Sequence, residues 1–223
     1  MINEDLSYNA YSNLFREREY LVSAGISFVF FLTSLCVSFY AVQFAARDAG
    51  NSTSDILLDN LPVLNTDIIF SEGALILIIF VTVLLFLKPR TIPFVLRSLA
   101  LLIWTRSFFV IMTHLAPYPD HIITDFGQLT YLSSGFDLFF SGHTAIPFML
   151  ALIFWSIPKL RLFFIISSII AGSAVLLGHL HYTIDVFAAY FITYGVYHFA
   201  RFIFKKEYRI FNNAISSSDG IYT

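Results

Sequence analysis

Apolar residues along this chain fall into long unbroken runs rather than alternating with polar ones. Tyr20 to Ala46, Ile68 to Leu87 and Pro93 to Leu115 each have the length of about 20 residues that crosses the hydrocarbon core of a bilayer. Two shorter apolar runs, His143 to Ile157 and Leu160 to Gly178, are divided by Ser156-Ile157-Pro158-Lys159, a tight turn because proline cannot continue a helical hydrogen-bond ladder. A last run extends from His181 to Phe204. The pattern predicts an all-α polytopic membrane protein with six transmembrane helices. Arg47 to Asp67 reads as a polar loop containing Gly50 and Pro62, and the mixed aromatic stretch Tyr118 to Ser141 as a loop over or dipping into the membrane interface. No repeat or linker divides the chain, which gives an N-terminal segment 1–19, a six-helix unit 20–204 and a C-terminal tail 205–223. Ser216-Ser217-Ser218-Asp219-Gly220 in that tail reads as disordered.

Composition sets the solvent for whatever chemistry these segments carry. At 57% hydrophobic and 13% charged residues, with a mean hydropathy of +0.75, the chain is too apolar for a soluble domain. Its net charge of −2 offers no basic excess to neutralise a polynucleotide, which excludes nucleic-acid binding. The single Cys36 cannot form an internal disulfide. Of the 13 basic residues all but Arg47 and Arg106 fall on the side of the two termini, while Asp48, Asp55, Asp59, Asp67, Glu72, Asp120, Asp125 and Asp137 fall on the other. Both termini are therefore expected to be cytoplasmic, with Arg97 as an anchor on that side. His143 and the Gly178 to Thr183 turn come out together on the extracytoplasmic face.

Those two edges carry the candidate chemistry. His181 and Asp185 are four residues apart at the start of a helix, so they share a face and the carboxylate can hold the imidazole by one ring nitrogen. The other nitrogen then serves as a nucleophile or a general base. His143 follows Ser141-Gly142 at the start of another apolar run, where the serine hydroxyl and the amides of a helix N-terminus can receive an anion such as a phosphoryl oxygen. Two histidines so placed suit in-line phosphoryl transfer, one attacking phosphorus and the other protonating the leaving oxygen. Arg106, an arginine inside an apolar run, is a candidate phosphate contact because its burial is otherwise so unfavourable. Tyr182 is one of several aromatics near the site whose faces suit a quaternary ammonium such as choline.

Phe140-Ser141-Gly142-His143-Thr144, followed by His181-Tyr182-Thr183-Ile184-Asp185-Val186-Phe187-Ala188-Ala189-Tyr190, resembles the paired signatures of the sphingomyelin synthase family, a branch of the type 2 phosphatidic acid phosphatase superfamily. Asp137 matches the aspartate of that family's Asp-x-x-x-Ser-Gly-His, although Gly135-Phe136 stands where Cys-Gly is usual. Arg97 and Arg106, with Thr113 to Pro119, resemble its arginine-bearing third span with altered spacing. Val175 stands where the ordinary phosphatase branch carries an arginine six residues before the second motif's histidine, which favours the synthase branch.

The resemblance spans roughly residues 60 to 200 and implies a type 2 phosphatidic acid phosphatase-like six-helix bundle with an extracytoplasmic site. It implies His181 as the nucleophile that becomes a phosphohistidine, Asp185 as its orienting partner and His143 as the acid, with Arg106, Asp137, Ser141, Gly142 and Tyr182 around the substrate. The expected activity moves a phospho-alcohol head group, phosphocholine first among the candidates, from a glycerophospholipid donor to ceramide or another lipid alcohol. The alternative is a lipid phosphatase or phospholipase C-like hydrolase with water as acceptor. No metal or cofactor is called for, since the histidines and arginine supply nucleophile, acid and charge.

Overall fold

The computed structural model describes residues 17–119 and 138–219. Among them are seven α-helices and no strand. They are α1, Arg18–Arg47; α2, Gly73–Leu87; α3, Ile92–Met112; α4, Gly142–Ile153; α5, Pro158–Leu177; α6, Thr183–Ile203; and α7, Lys205–Asp219. A wide π-helical turn, Ile68–Glu72, leads into α2, with the Gly73 amide donating to the Ile68 carbonyl five residues back.

Four stretches are long and apolar enough to cross a membrane: Arg18–Arg47, Ile68–Leu87, Pro89–Met112 and Pro158–Leu177. The other two expected spans do not reach that standard. Helix α4 has 12 residues, or about 18 Å at 1.5 Å per residue, against a hydrocarbon core of about 30 Å. Helix α6 has 21 residues, but Asp185, Thr193, His198 and Arg201 interrupt its apolar character. The four qualifying stretches have the pattern of a multi-pass membrane protein. Their outer faces agree, since Val22, Val29, Ile76, Ile78, Phe86 and Leu162 are each more than half exposed. Lipid is the solvent such a surface suits.

Against lipid, helices gain little from the hydrophobic effect and associate through close packing. Small residues allow this: Ala41 and Ala45 of α1 lie against Val110 of α3. On α5, a Cβ at Gly172 would come within 3.2 Å of Val186 Cγ1 on α6 and 3.3 Å of Thr144 Oγ1 on α4. Helix α4 is the buried axis of the bundle, with Thr144, Ala145, Pro147 and the run Met149 to Ile153 all buried. Phe94, Leu102, Phe164, Ala189 and Phe211 pack around it from α3, α5, α6 and α7.

The tail departs from expectation. Ser216 to Asp219 belong to helix α7, not to a disordered segment. Apolar residues spaced for one helical face explain this: Phe211 and Ile215 are buried in the core, and Tyr208 packs beside them. Arg97 is likewise more than a charge at the membrane edge. Its guanidinium bonds the buried Glu207 carboxylate of α7 at 2.9 Å and Ser27 Oγ of α1 at 2.9 Å, and Ser23 Oγ donates to the same Glu207 oxygen at 3.1 Å. The cluster binds α1, α3 and α7 at the end of the bundle opposite the motif histidines. Glu207→Ala leaves a largely covered guanidinium without its counter-charge, and the expected loss is about 3 kcal/mol of stability. Denaturant unfolding in detergent micelles measures it, and an unchanged midpoint rules out the clamp.

Candidate active site

His181 lies in the short turn between α5 and α6. His179, two residues earlier, has φ 54, in the left-handed region that a non-glycine residue adopts at a cost. The chain then enters α6 with Asp185 in its first turn. His181 Nδ1–H donates to Asp185 Oδ2 at 3.2 Å, and both side chains are buried. The same carboxylate oxygen accepts the Tyr182 amide at 3.2 Å, closing a capping box at the helix start. One aspartate thus caps the helix and holds the imidazole by Nδ1, which leaves Nε2 on the other side of the ring.

A backbone bond joins this pair to the first motif. The Ser141 amide donates to the Asp185 carbonyl at 3.1 Å, so the N-termini of α4 and α6 meet. Ser141 is the N-cap of α4. Its hydroxyl accepts the Thr144 amide at 3.4 Å and the Thr144 hydroxyl at 3.2 Å, and Ser168 of α5 donates to the Thr144 carbonyl at 2.8 Å. Ser141 is fully buried. The structure therefore gives its hydroxyl a capping task, where the sequence suggested an anion contact.

Gly142, His143 and Arg106 line a cavity of about 450 Å³ between α1 to α5 and the π-helical turn, within the range of about 300–1,000 Å³ usual for small-molecule sites. Its remaining walls are almost wholly apolar, including Leu35, Leu77, Ile103, Ile146, Phe163 and Ile170. Polar groups are thus gathered at the head of α4, where the helix dipole adds positive potential. Arg106 Nε donates to the Phe140 carbonyl at 2.8 Å. Its guanidinium lies across Gly142, where a Cβ would stand 3.3 Å from Nε and 3.6 Å from Cζ. A side chain there would press on the arginine. The His143 ring packs on Phe70 with centroids 3.9 Å apart and planes 31° apart. Phe70 comes from the π-helical turn before α2, an irregularity of the kind that re-aims side chains at functional sites.

Over the His181 end lies the loop between α1 and α2. Asp55 accepts from Thr183 twice, its amide at 2.7 Å and its hydroxyl at 2.6 Å. Burial raises the Asp55 pKa, but the Thr183 hydroxyl and amide, with the Leu58 and Leu57 amides, outweigh it and hold the group below its ordinary 3.8. A lowered folded pKa means that these contacts contribute fully above the ordinary carboxylate value and are lost only as pH falls through the lower folded one. Tyr182 is buried, and its hydroxyl donates to the Ala116 carbonyl at 2.9 Å and accepts the Thr53 amide at 3.2 Å.

Residues 136–202 match the family model described as PAP2 superfamily C-terminal. No curated protein and no solved structure matches the chain. The matched stretch holds Ser141, Gly142, His143, His181, Tyr182 and Asp185, and omits Arg106, Phe70 and Asp55. It supports the type 2 phosphatidic acid phosphatase superfamily, and with it lipid phosphatase or phosphotransferase chemistry.

Of the residues expected around the site, the structure brings His181, Asp185 and Ser141 into one bonded cluster and Gly142, His143 and Arg106 onto one cavity. His181 does not line that cavity, and Tyr182 has its hydroxyl on backbone partners and its ring beside Tyr118. Asp137 lies outside the described residues. Phe70 and Asp55 were not singled out from sequence. An aspartate before Ile56-Leu57-Leu58 signals a local turn, which Asp55 does cap, but no local signal reports its reach to Thr183. Gly142→Ala is expected to push the guanidinium of Arg106 aside by a few tenths of an ångström and lower turnover of a lipid phosphate about tenfold. Thermal unfolding should stay near wild type; kinetics in micelles alongside a melting curve check both, and wild-type turnover rules out the packing argument.

Proposed function

We propose that the protein is a membrane lipid phosphotransferase that moves a phospho-alcohol head group from a glycerophospholipid to a lipid alcohol through a phosphohistidine. The observation that carries this reading is the buried His181–Asp185 pair, bonded through the Asp185 carbonyl to the head of α4, where Arg106 and His143 meet an apolar cavity. In the first half-reaction His181 Nε2 attacks phosphorus, the bond to the diacylglycerol oxygen breaks, and His143 gives its proton to that oxygen. In the second, His143 takes the proton of the incoming alcohol, whose oxygen displaces His181. Arg106 offsets the charge that gathers on the phosphoryl oxygens, and the cavity offers acyl chains an apolar berth beside them. No metal enters the scheme.

The finer assignments rest on the motif resemblance. His-Tyr-Thr-x-Asp-Val-x-x-Ala-Tyr, met at His181 to Tyr190, and Val175 in place of an arginine favour the sphingomyelin synthase branch, with phosphocholine as head group and ceramide as acceptor. Distribution of basic residues favours six spans, cytoplasmic termini and an extracytoplasmic site. Helices α4 and α6 then complete the six, α4 sheltered from lipid by its neighbours.

Purified protein given phosphatidylcholine and ceramide is expected to yield sphingomyelin and diacylglycerol, resolved by mass spectrometry. Free phosphocholine or inorganic phosphate as the main product, with and without ceramide, would refute transfer and establish the hydrolytic alternative. His181→Ala should abolish turnover and Asp185→Asn lower it by roughly 10³-fold or more, both with an intact fold by circular dichroism. Normal activity in either overturns the roles given to the pair.

A further inference from the structure

We propose that Asp55, in the loop between α1 and α2, is a positioning residue for His181: it clamps that loop onto the first turn of α6, holding the imidazole in register and covering it. The inference rests on His181 as the reactive group, and goes beyond it by bringing a residue from outside the matched stretch 136–202 into the site.

A helix N-terminus leaves amides without intrahelical acceptors, and α6 begins at Thr183 after the poor N-cap residue Tyr182. The acceptor comes instead from 128 residues away. Asp55 Oδ2 takes the Thr183 amide at 2.7 Å, and Oδ1 takes the Thr183 hydroxyl at 2.6 Å. The carboxylate also lies at the positive end of the α6 dipole, where negative charge is favoured. Its Oδ1 accepts the Leu57 and Leu58 amides at 3.0 and 3.2 Å, so one side chain orders its own loop while holding the helix.

The loop is sewn down on either side of this clamp. Thr53 donates its amide to the Tyr182 hydroxyl at 3.2 Å, and Leu58, 2% exposed, is buried against Tyr182 and Leu138. His181, one residue before Tyr182, is itself only 3% exposed. Its side-chain tie to Asp185 runs within the turn that Asp55 secures. Loss of the clamp frees that turn to fray, which misaligns Nε2 and opens the cover together.

The test compares full-length Asp55→Ala and Asp55→Asn with Asp59→Ala. The last removes the bond from the Tyr118 hydroxyl to Asp59 at 2.6 Å in the same loop and leaves Thr183 alone. Two readouts are taken: kcat and KM on phosphatidylcholine, and the rate at which diethylpyrocarbonate modifies His181, followed by peptide mass spectrometry. Asp55→Ala should lower kcat about tenfold or more with KM within about twofold of wild type, and His181 should be modified about tenfold faster. Asp55→Asn retains an oxygen for the Thr183 amide and should fall between. Asp59→Ala should match wild type in both. Unchanged protection of His181 in Asp55→Ala, or equal losses in Asp59→Ala, overturns the proposal in favour of generic loop support. Absence of turnover in wild-type protein refutes the proposed function alone, since the modification rates still decide the role of Asp55.

Discussion

Asp185 is the point on which the site hangs. A carboxylate sealed among helices must find donors, because an unpaired buried charge is costly. It takes the His181 imidazole and the Tyr182 amide on its side chain, while its backbone carbonyl takes the Ser141 amide. Those three bonds set the tautomer of one histidine, start helix α6 and bring in the head of α4, which carries the other histidine. Asp185 Oδ1 remains buried without a partner among the described residues.

Around this point the lipid solvent sorts the chain. Four stretches turn apolar faces outward, and polar side chains collect at the two ends of the bundle or on the shielded axis. Helix α4, at 12 residues, is covered by its neighbours. Its head can then carry Gly142 and His143 at an apolar cavity, with Arg106 from α3 laid over the glycine. A wall of hydrocarbon ending in an arginine, a histidine and a helix N-terminus is shaped for an amphiphile with an anionic head. The far end holds the Arg97–Glu207 cluster, which fastens α7 to the bundle and keeps structural charge away from the chemistry.

Legibility of the chain in sequence followed the range of each interaction. The spacing of His181 and Asp185 is a property of four residues and one helix turn, and it was readable at once. So were the long apolar stretches and the turn at Pro158, whose causes are equally local. Contacts across the fold left no trace. The backbone partners of the Tyr182 hydroxyl are 66 and 129 residues away, beyond any local pattern. Phe70 read as one apolar residue among many until the π-helical turn set it on His143.

By itself, then, the sequence determined that lipid surrounds this chain, where most of its helices run and which histidine has a carboxylate partner, since hydropathy and helical spacing act over a few residues. Tertiary structure alone decided that the two histidine segments meet through the Ser141–Asp185 bond, that Arg106 lies across Gly142 at the cavity, and that Asp55 bonds Thr183 at the start of α6. Each of these is a directional contact of a few ångströms between residues far apart in the chain. Their geometry exists only after the helices have packed.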